Sequence, residues 1–315
     1  MRGIKAAAVL IVALTTLAGC TPSSPVPNPS AVASADQATV AAIKWEGGAK
    51  DPKLDLKTPL RVNEPTVSMV EPGSGASISM GQLVTFDSLV VDGETGAVEG
   101  STYGGATPNK LILAKSTANE TMLGAMRTAK VGGKFLYVVP APANDATAAP
   151  TDPLATPAPS ASKVLAITIR SVENVPNAAE GTEKAPDPAL PKLTFAADGT
   201  PSVVAPKSKP TDKLASSVLI EGSGPQVTDG QTVAVKYYGW LWDGKPFDAV
   251  WGVSAPEVVG VSTAISGWRK AIVGKKVGSR VLMVVPPAMA YGGAGQDSIP
   301  PDSTLIFLVD VLAAY

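Results

Sequence analysis

The sequence predicts an α+β protein made of two copies of one small unit, each an antiparallel β-sheet that needs a short helix against it. Three observations predict this. Blocks of sequence recur in the same order, the strands are short and bounded by Gly, Pro and Asp turns, and a single stretch of the second copy has helical spacing.

The repeat is legible in three pairs. VEPGSGASISMGQLVTFDSLVVDGETG, starting at Val70, matches IEGSGPQVTDGQTVAVKYYGWLWDGKP, starting at Ile220. KVGGKFLYVVPAPA from Lys130 matches KVGSRVLMVVPPAM from Lys276, and SKVLAITIRSVENV from Ser162 matches DSTLIFLVDVLAAY from Asp302. Chance could supply one such pair; three in register argue for duplication.

Within the second copy, residues 233–238 read as one strand, and Asp243-Gly244 as a tight turn shortly after it. Residues 280–285 form another strand, which Pro286-Pro287 stops, and 304–312 form the last. Residues 262–273 are the helix, because Ile265, Trp268 and Ile272 share one face. A small sheet with one apolar face is not stable alone, so the helix is expected to cover it.

Outside the copies the chain reads differently. Arg2 and Lys5 precede an apolar run over 6–17, of signal-peptide length and too short to span a bilayer comfortably. It ends in Leu17-Ala18-Gly19-Cys20, which resembles the bacterial lipobox, in which the thiol takes diacylglycerol. Residues 1–19 are therefore expected to be a lipoprotein signal peptide, with Cys20 the lipidation site and 20–38 a Pro/Ser/Ala-rich flexible stalk. The first copy is assigned to 39–175, a linker to 176–190 and the second copy to 191–315. Residues 141–162 read as a disordered insertion.

Composition excludes much chemistry. The 315 residues contain no histidine and one cysteine, which removes Ser-His-Asp hydrolases, papain-like thiol enzymes, nearly all zinc enzymes and any intrachain disulfide. A net charge of −1 offers no field to gather nucleic acid. No cluster has metal-ligand spacing, Gly-rich pieces such as GGAG lack the context of a phosphate loop, and no cofactor is expected.

The second copy does carry a recognisable set. GQTVAVKYYGWLWDGKPFD, ISGWRKAIVGKKVGSRVLMVVPPAMAYG and SIPPDSTLIFLVDVL follow one another as they do in FK506-binding-protein (FKBP) domains, and the resemblance covers about residues 205–315. It implies a five-stranded antiparallel sheet curled round a short helix, an apolar pocket for a prolyl ring, and peptidyl-prolyl cis-trans isomerase activity. Carried over by motif, the pocket is Tyr237, Phe247, Asp248, Ile265, Trp268, Tyr291, Ile299 and Phe307. The resemblance makes Trp268 the floor and Tyr237, Phe247 and Phe307 the walls. The Ile265 N–H and the Tyr291 hydroxyl would hold substrate carbonyls, and Tyr237, Asp248 and Tyr291 are the expected catalytic set. Read singly, Trp268 and Phe307 are core residues and the tyrosines are sheet and loop aromatics. Asp248, an acid beside aromatics, is placed to bond Tyr237 rather than to act as a base.

Two departures stand out. The stretch after Phe247-Asp248 is AVWGVSAPEVV, without the aromatics often found there, and Trp251 is the residue available to fill the space. The late loop, GGAGQDSIPP, is glycine-rich. In the first copy Ser88 stands where Tyr237 does and Met122 where Trp268 does, so that copy reads as a degenerate domain without isomerase activity. The expected protein is a monomeric, membrane-anchored, extracytoplasmic isomerase acting on proline-containing unfolded or exported polypeptides, with FK506-like macrolides as further ligands. The alternative is a prolyl-binding chaperone or scaffold lipoprotein with little turnover, and a solute-binding lipoprotein is a third reading, disfavoured because small β-rich repeats do not resemble two α/β lobes.

Overall fold

The computed structural model describes residues 29–141, 162–252 and 255–315. The signal peptide, Cys20 and almost all of the 141–162 insertion lie outside the described residues.

Among the described residues two large antiparallel sheets follow one another along the chain, each beside a two-stranded hairpin. The first is preceded by helix α1 (Pro29–Ala41) and a hairpin of β1 (Lys44–Gly48) and β2 (Asp51–Asp55). Its strands are β3 (Thr66–Glu71), β4 (Leu83–Asp92), β5 (Val98–Ser101), β6 (Asn109–Ile112), β7 (Lys134–Val139) and β8 (Lys163–Glu173), with helix α2 (Glu120–Thr128) between β6 and β7. The second unit begins with β9 (Gly181–Glu183) and a hairpin of β10 (Leu193–Phe195) and β11 (Pro201–Val203). It continues through β12 (Ala215–Gly222), β13 (Thr232–Leu241), β14 (Pro246–Val250), β15 (Glu257–Gly260), helix α3 (Ser266–Ile272), β16 (Arg280–Val285) and β17 (Leu305–Ala314).

The order in the first sheet is β3-β7-β8-β4, and in the second β12-β16-β17-β13. In each, the last strand position is shared. β14 pairs with the C-terminal half of β13 and β15 with its N-terminal half, just as β5 and β6 divide the edge of β4. Five strand positions are thus filled by six segments, and β9 adds a further short strand beside β12.

Strand alternation sorts the side chains. On β13, β16 and β17 the residues Val233, Val235, Val281, Met283, Val285, Leu305, Phe307, Val309 and Val311 face α3 and bury with Trp268, Ala271 and Ile272. Full burial of such a side chain contributes about 1.5–3 kcal/mol. The helix packs close: a Cβ on Gly267 would lie 2.3 Å from Val285 Cγ1. It starts four residues later than its sequence pattern predicts, because Thr263 and Ala264 turn back onto the Gly260 carbonyl first, and Gly274 in the left-handed region (φ 80°) follows its end.

The expectation of one apolar sheet face is corrected by the structure. The opposite face of the second sheet is also covered: Trp240, Leu282, Val284, Ile306 and Leu308 bury against Leu190, Leu193 and Val203 of the preceding segment. In the first sheet Leu89, Val91, Leu136, Val138, Val164 and Ala166 bury against Val40, Ile43, Leu60 and Val62, with Trp45 and Leu54 packed on them. The hairpins correspond in detail: Trp45 faces Leu54 and Gly47 faces Pro52 in one, Leu193 faces Val203 and Phe195 faces Pro201 in the other. The repeat is therefore longer than its three sequence pairs, and each sheet is sandwiched between a helix and a hairpin.

Two segments assigned to stalk and linker carry structure. Residues 29–38 lie in α1, where buried Asp36 accepts the backbone N–H groups of Asn63 (2.8 Å) and Glu64 (3.2 Å). Residues 181–183 form β9, because Gly181 can lie against the Glu221 carbonyl where a Cβ would not fit. Alanine favours helix once a docking site exists, and composition alone did not show the docking sites that order these segments.

The covered faces also hold charge. Asp87 on β4 pairs with Arg170 on β8. The matching positions of the second unit are inverted, Lys236 on β13 and Asp310 on β17, and Asp310 is held instead by Arg280 through bonds of 2.6 and 2.7 Å and by the Ala179 N–H. The units touch through Leu83, Ile112 and Ala114 of the first and Ala234, Leu312 and Ala313 of the second, and the Tyr315 hydroxyl accepts the Ile112 N–H at 3.1 Å.

Candidate active site

The second sheet curls so that β13, the split β14–β15 edge and β17 face the start of α3. Between them lies a cavity of about 160 Å³. Its lining is Tyr237 from β13, Phe247 and Asp248 from β14, Glu257 and Val259 from β15, Ala264, Ile265 and Trp268 at the helix, Tyr291 from the following loop, and Phe307 from β17.

The aromatics interlock edge to face. Trp268 lies 5.3 Å from Tyr237 (81°) and 5.3 Å from Phe307 (89°), and Phe247 lies 5.5 Å from Phe307 (89°). Each such contact favours the quadrupoles of both rings. Gly239 makes the packing feasible, since a Cβ there would lie 2.7 Å from the Phe247 ring and 3.1 Å from Phe307.

Polar groups are few. The Tyr237 hydroxyl donates to the Asp248 carboxylate at 2.5 Å across the mouth of the cavity. Burial, then that bond and the carboxylates of Asp248 and Glu257, holds the Tyr237 proton well above the ordinary tyrosine range. Burial first, then the charges of Asp248 and Asp297, raises Tyr291 as well. Both hydroxyls therefore stay neutral donors at physiological pH. The Trp268 Nε1–H is buried without an acceptor among the described residues. An orphaned buried donor costs about 1–3 kcal/mol, which an acceptor entering the cavity would relieve. Among the described residues the Ile265 N–H has no hydrogen-bond partner, so it too is available to donate.

Seven of the eight residues placed here by motif line the cavity. Ile299 does not: it is buried in the core beneath, in a loop closed by reciprocal backbone bonds with Gln296 (2.7 and 2.9 Å). Trp251 does not fill the pocket either. It lies on the other side of the sheet with Trp240 and Tyr238, because strand alternation and a bond to the β10–β11 hairpin turn it outward. The wall it was expected to supply is made by Glu257 and Val259, which sequence reading passed over. The signal was present in the Pro256-Glu257-Val258-Val259 run, whose alternation places both on one face.

In the first unit the aligned positions are closed. Met122 is in the core with Leu113, Met126 and Phe135, and Ser88 is buried, its hydroxyl accepting the Asn109 side-chain amide at 2.9 Å.

Comparison with known proteins gives a consistent picture. Residues 224–312 match the family model of FKBP-type peptidyl-prolyl cis-trans isomerases. An FK506-binding protein of Streptomyces anulatus is 41% identical over 118 residues, which is 36% of this chain and 95% of that protein. An FK506-binding protein of Neisseria meningitidis is 37% identical over 100 residues, 31% of this chain and 92% of that protein. The FKBP-type isomerase FkpA of Escherichia coli is 39% identical over 99 residues, 31% of this chain and only 37% of FkpA.

Proposed function

Because the chain belongs to the FKBP-type peptidyl-prolyl cis-trans isomerase family, and is itself such an isomerase, we propose that the aromatic cavity of its second unit is where the X-Pro bond turns. The single observation that carries this is the pairing of Tyr237 with Asp248 at the mouth of a cavity floored by Trp268.

The reaction makes and breaks no bond. Its barrier of about 18–20 kcal/mol is the amide resonance lost on twisting. A twisted imide is less polar than a planar one, so an apolar cavity that excludes water favours the twisted form relative to the ground state. The prolyl ring is assigned to the space between Trp268, Phe247 and Phe307. Asp248 already accepts the Tyr237 O–H hydrogen bond, so that hydroxyl is a positioned wall rather than a donor to substrate. The Tyr291 hydroxyl and the Ile265 N–H are left to hold the carbonyls on either side, which fixes the chain while the imide rotates. Ile299 supports the loop from below.

The family binds proline-containing peptides and FK506, and both are assigned to this cavity. The first unit, with Ser88 and Met122 in place of pocket residues, is assigned a supporting rather than catalytic role. The basic start, apolar run and Leu17-Ala18-Gly19-Cys20 sequence support lipidation at Cys20 and an extracytoplasmic enzyme that serves exported proteins. Isomerisation of a short X-Pro peptide series by the full chain, with Trp268→Ala and Asp248→Ala beside it, tests the site. Strong acceleration by the parent and a large loss in both variants is expected. Equal rates in parent and variants would place the chemistry elsewhere.

A further inference from the structure

We infer that Glu257 sets a charge preference for this isomerase, so that it selects prolyl bonds flanked by lysine or arginine. The inference rests on the cavity being the prolyl site.

The β15 wall, where the family resemblance leads one to expect aromatics, presents a carboxylate. Glu257 is half-buried at the cavity; its backbone belongs to the β13–β15 ladder, but among the described residues its carboxylate has no ion pair or hydrogen bond. Asp248 adds a second carboxylate on the adjoining strand, and the charge of Asp297 reaches Tyr291 on the opposite side. No lysine or arginine lines the cavity. The nearby cations are engaged or turned away: Arg269 on α3 pairs with Asp229, and Lys236, beside Tyr237 on β13, points to the other face and bonds the Gly252 carbonyl. Lys245 and Lys270 are exposed outside the lining.

A carboxylate on a partly dry wall costs free energy unless an opposite charge or water meets it. A cavity of about 160 Å³ holds little more than the prolyl ring, so the flanking side chains lie along the rim. A Lys or Arg there extends an apolar stem over the aromatic wall and brings its charge to Glu257 and Asp248. A Glu or Asp there meets two like charges. The residue therefore discriminates by attraction and by repulsion together.

Peptides identical except for Lys, Gln or Glu before the proline, and a second set varied after it, test this with the full chain. Isomerisation rates and calorimetric affinities are both measured, at low and high ionic strength. In at least one set, Lys is expected to exceed Glu by about five- to tenfold at low salt, the size that rim charge pairs support, and the ratio should shrink as salt screens them. Glu257→Gln should bring the ratio to about two or below, while Glu257→Asp keeps its sign. Equal affinity for the Lys and Glu peptides, no binding of either, or a ratio unchanged in Glu257→Gln would overturn the inference. Acceleration of none of the peptides would sink the assignment of the cavity, but the affinity ratio would still decide the role of Glu257.

Discussion

Trp251 donates its indole N–H to the carbonyl of Gly199 at 3.0 Å, tying the end of β14 to the hairpin on the far side of the sheet from the cavity. The Arg280 guanidinium lies 5.2 Å from the Trp251 ring and 5.7 Å from Phe195 of the same hairpin, so one cation stacks with both. β14 carries Phe247 and Asp248. The hairpin outside the repeat's legible core therefore braces the strand that builds the cavity wall.

Trp251→Ala should cost about 1–3 kcal/mol of stability, less than a fully buried tryptophan because the ring is half-exposed. Urea unfolding measures that. Peptide affinity should fall with it, since β14 loses its brace. A stability loss with unchanged affinity would show that the hairpin supports the sheet alone.

Gly239→Ala is the sharper probe of cavity shape. The added Cβ meets the edge of the Phe247 ring at 2.7 Å, and the ring must swing into or away from the cavity to relieve it. A loss of about tenfold or more in kcat/KM is expected, with overpacking costing about 1–3 kcal/mol of stability. Activity at the parental level would mean that the Phe247 position is not critical.

Arg280→Met and Lys236→Met should differ. Asp310 is buried and takes both Arg280 bonds, so removing that guanidinium leaves its carboxylate with only the Ala179 N–H and the charge of Lys236 opposite, at a cost of about 3–5 kcal/mol. Lys236 is itself buried, burial lowers its pKa, and its hydrogen bond goes only to a backbone carbonyl. Replacing it by an apolar chain of similar length should be close to neutral. Thermal melts of the two variants test the contrast.

The pH dependence follows from the tyrosines. Burial raises Tyr237 and Tyr291, and pushes Tyr103 up to about 12, from an ordinary value of 10. The folded state thus holds these protons more tightly than the unfolded chain. Their contribution to stability is complete below pH 10 and is lost as pH climbs through the folded values. Denaturant midpoints should begin to fall above about pH 10, less steeply in Tyr237→Phe. Neither hydroxyl should cause a loss of isomerisation between about pH 7 and 10.

Local pattern is what could be read along the chain. Alternation marked β13, β16 and β17, the 3.6-residue spacing of Ile265, Trp268 and Ile272 marked α3, and spaced motifs named seven of the ten lining residues. Which apolar residue faces which neighbour depends on packing between distant segments. β17, LIFLVDVLAA, is buried on both sides, and a continuous apolar run shows that something covers the second face without saying what. That cover is a short hairpin whose own propensity is weak and whose order comes from docking on Trp240, Leu282 and Leu308. The same limit applies at the site. Trp251 and Glu257 lie six residues apart on a broken edge strand, and where the break falls decides that the tryptophan turns outward and the carboxylate lines the cavity. Register across β13 sets that, and register is a property of the pairing, not of either strand alone.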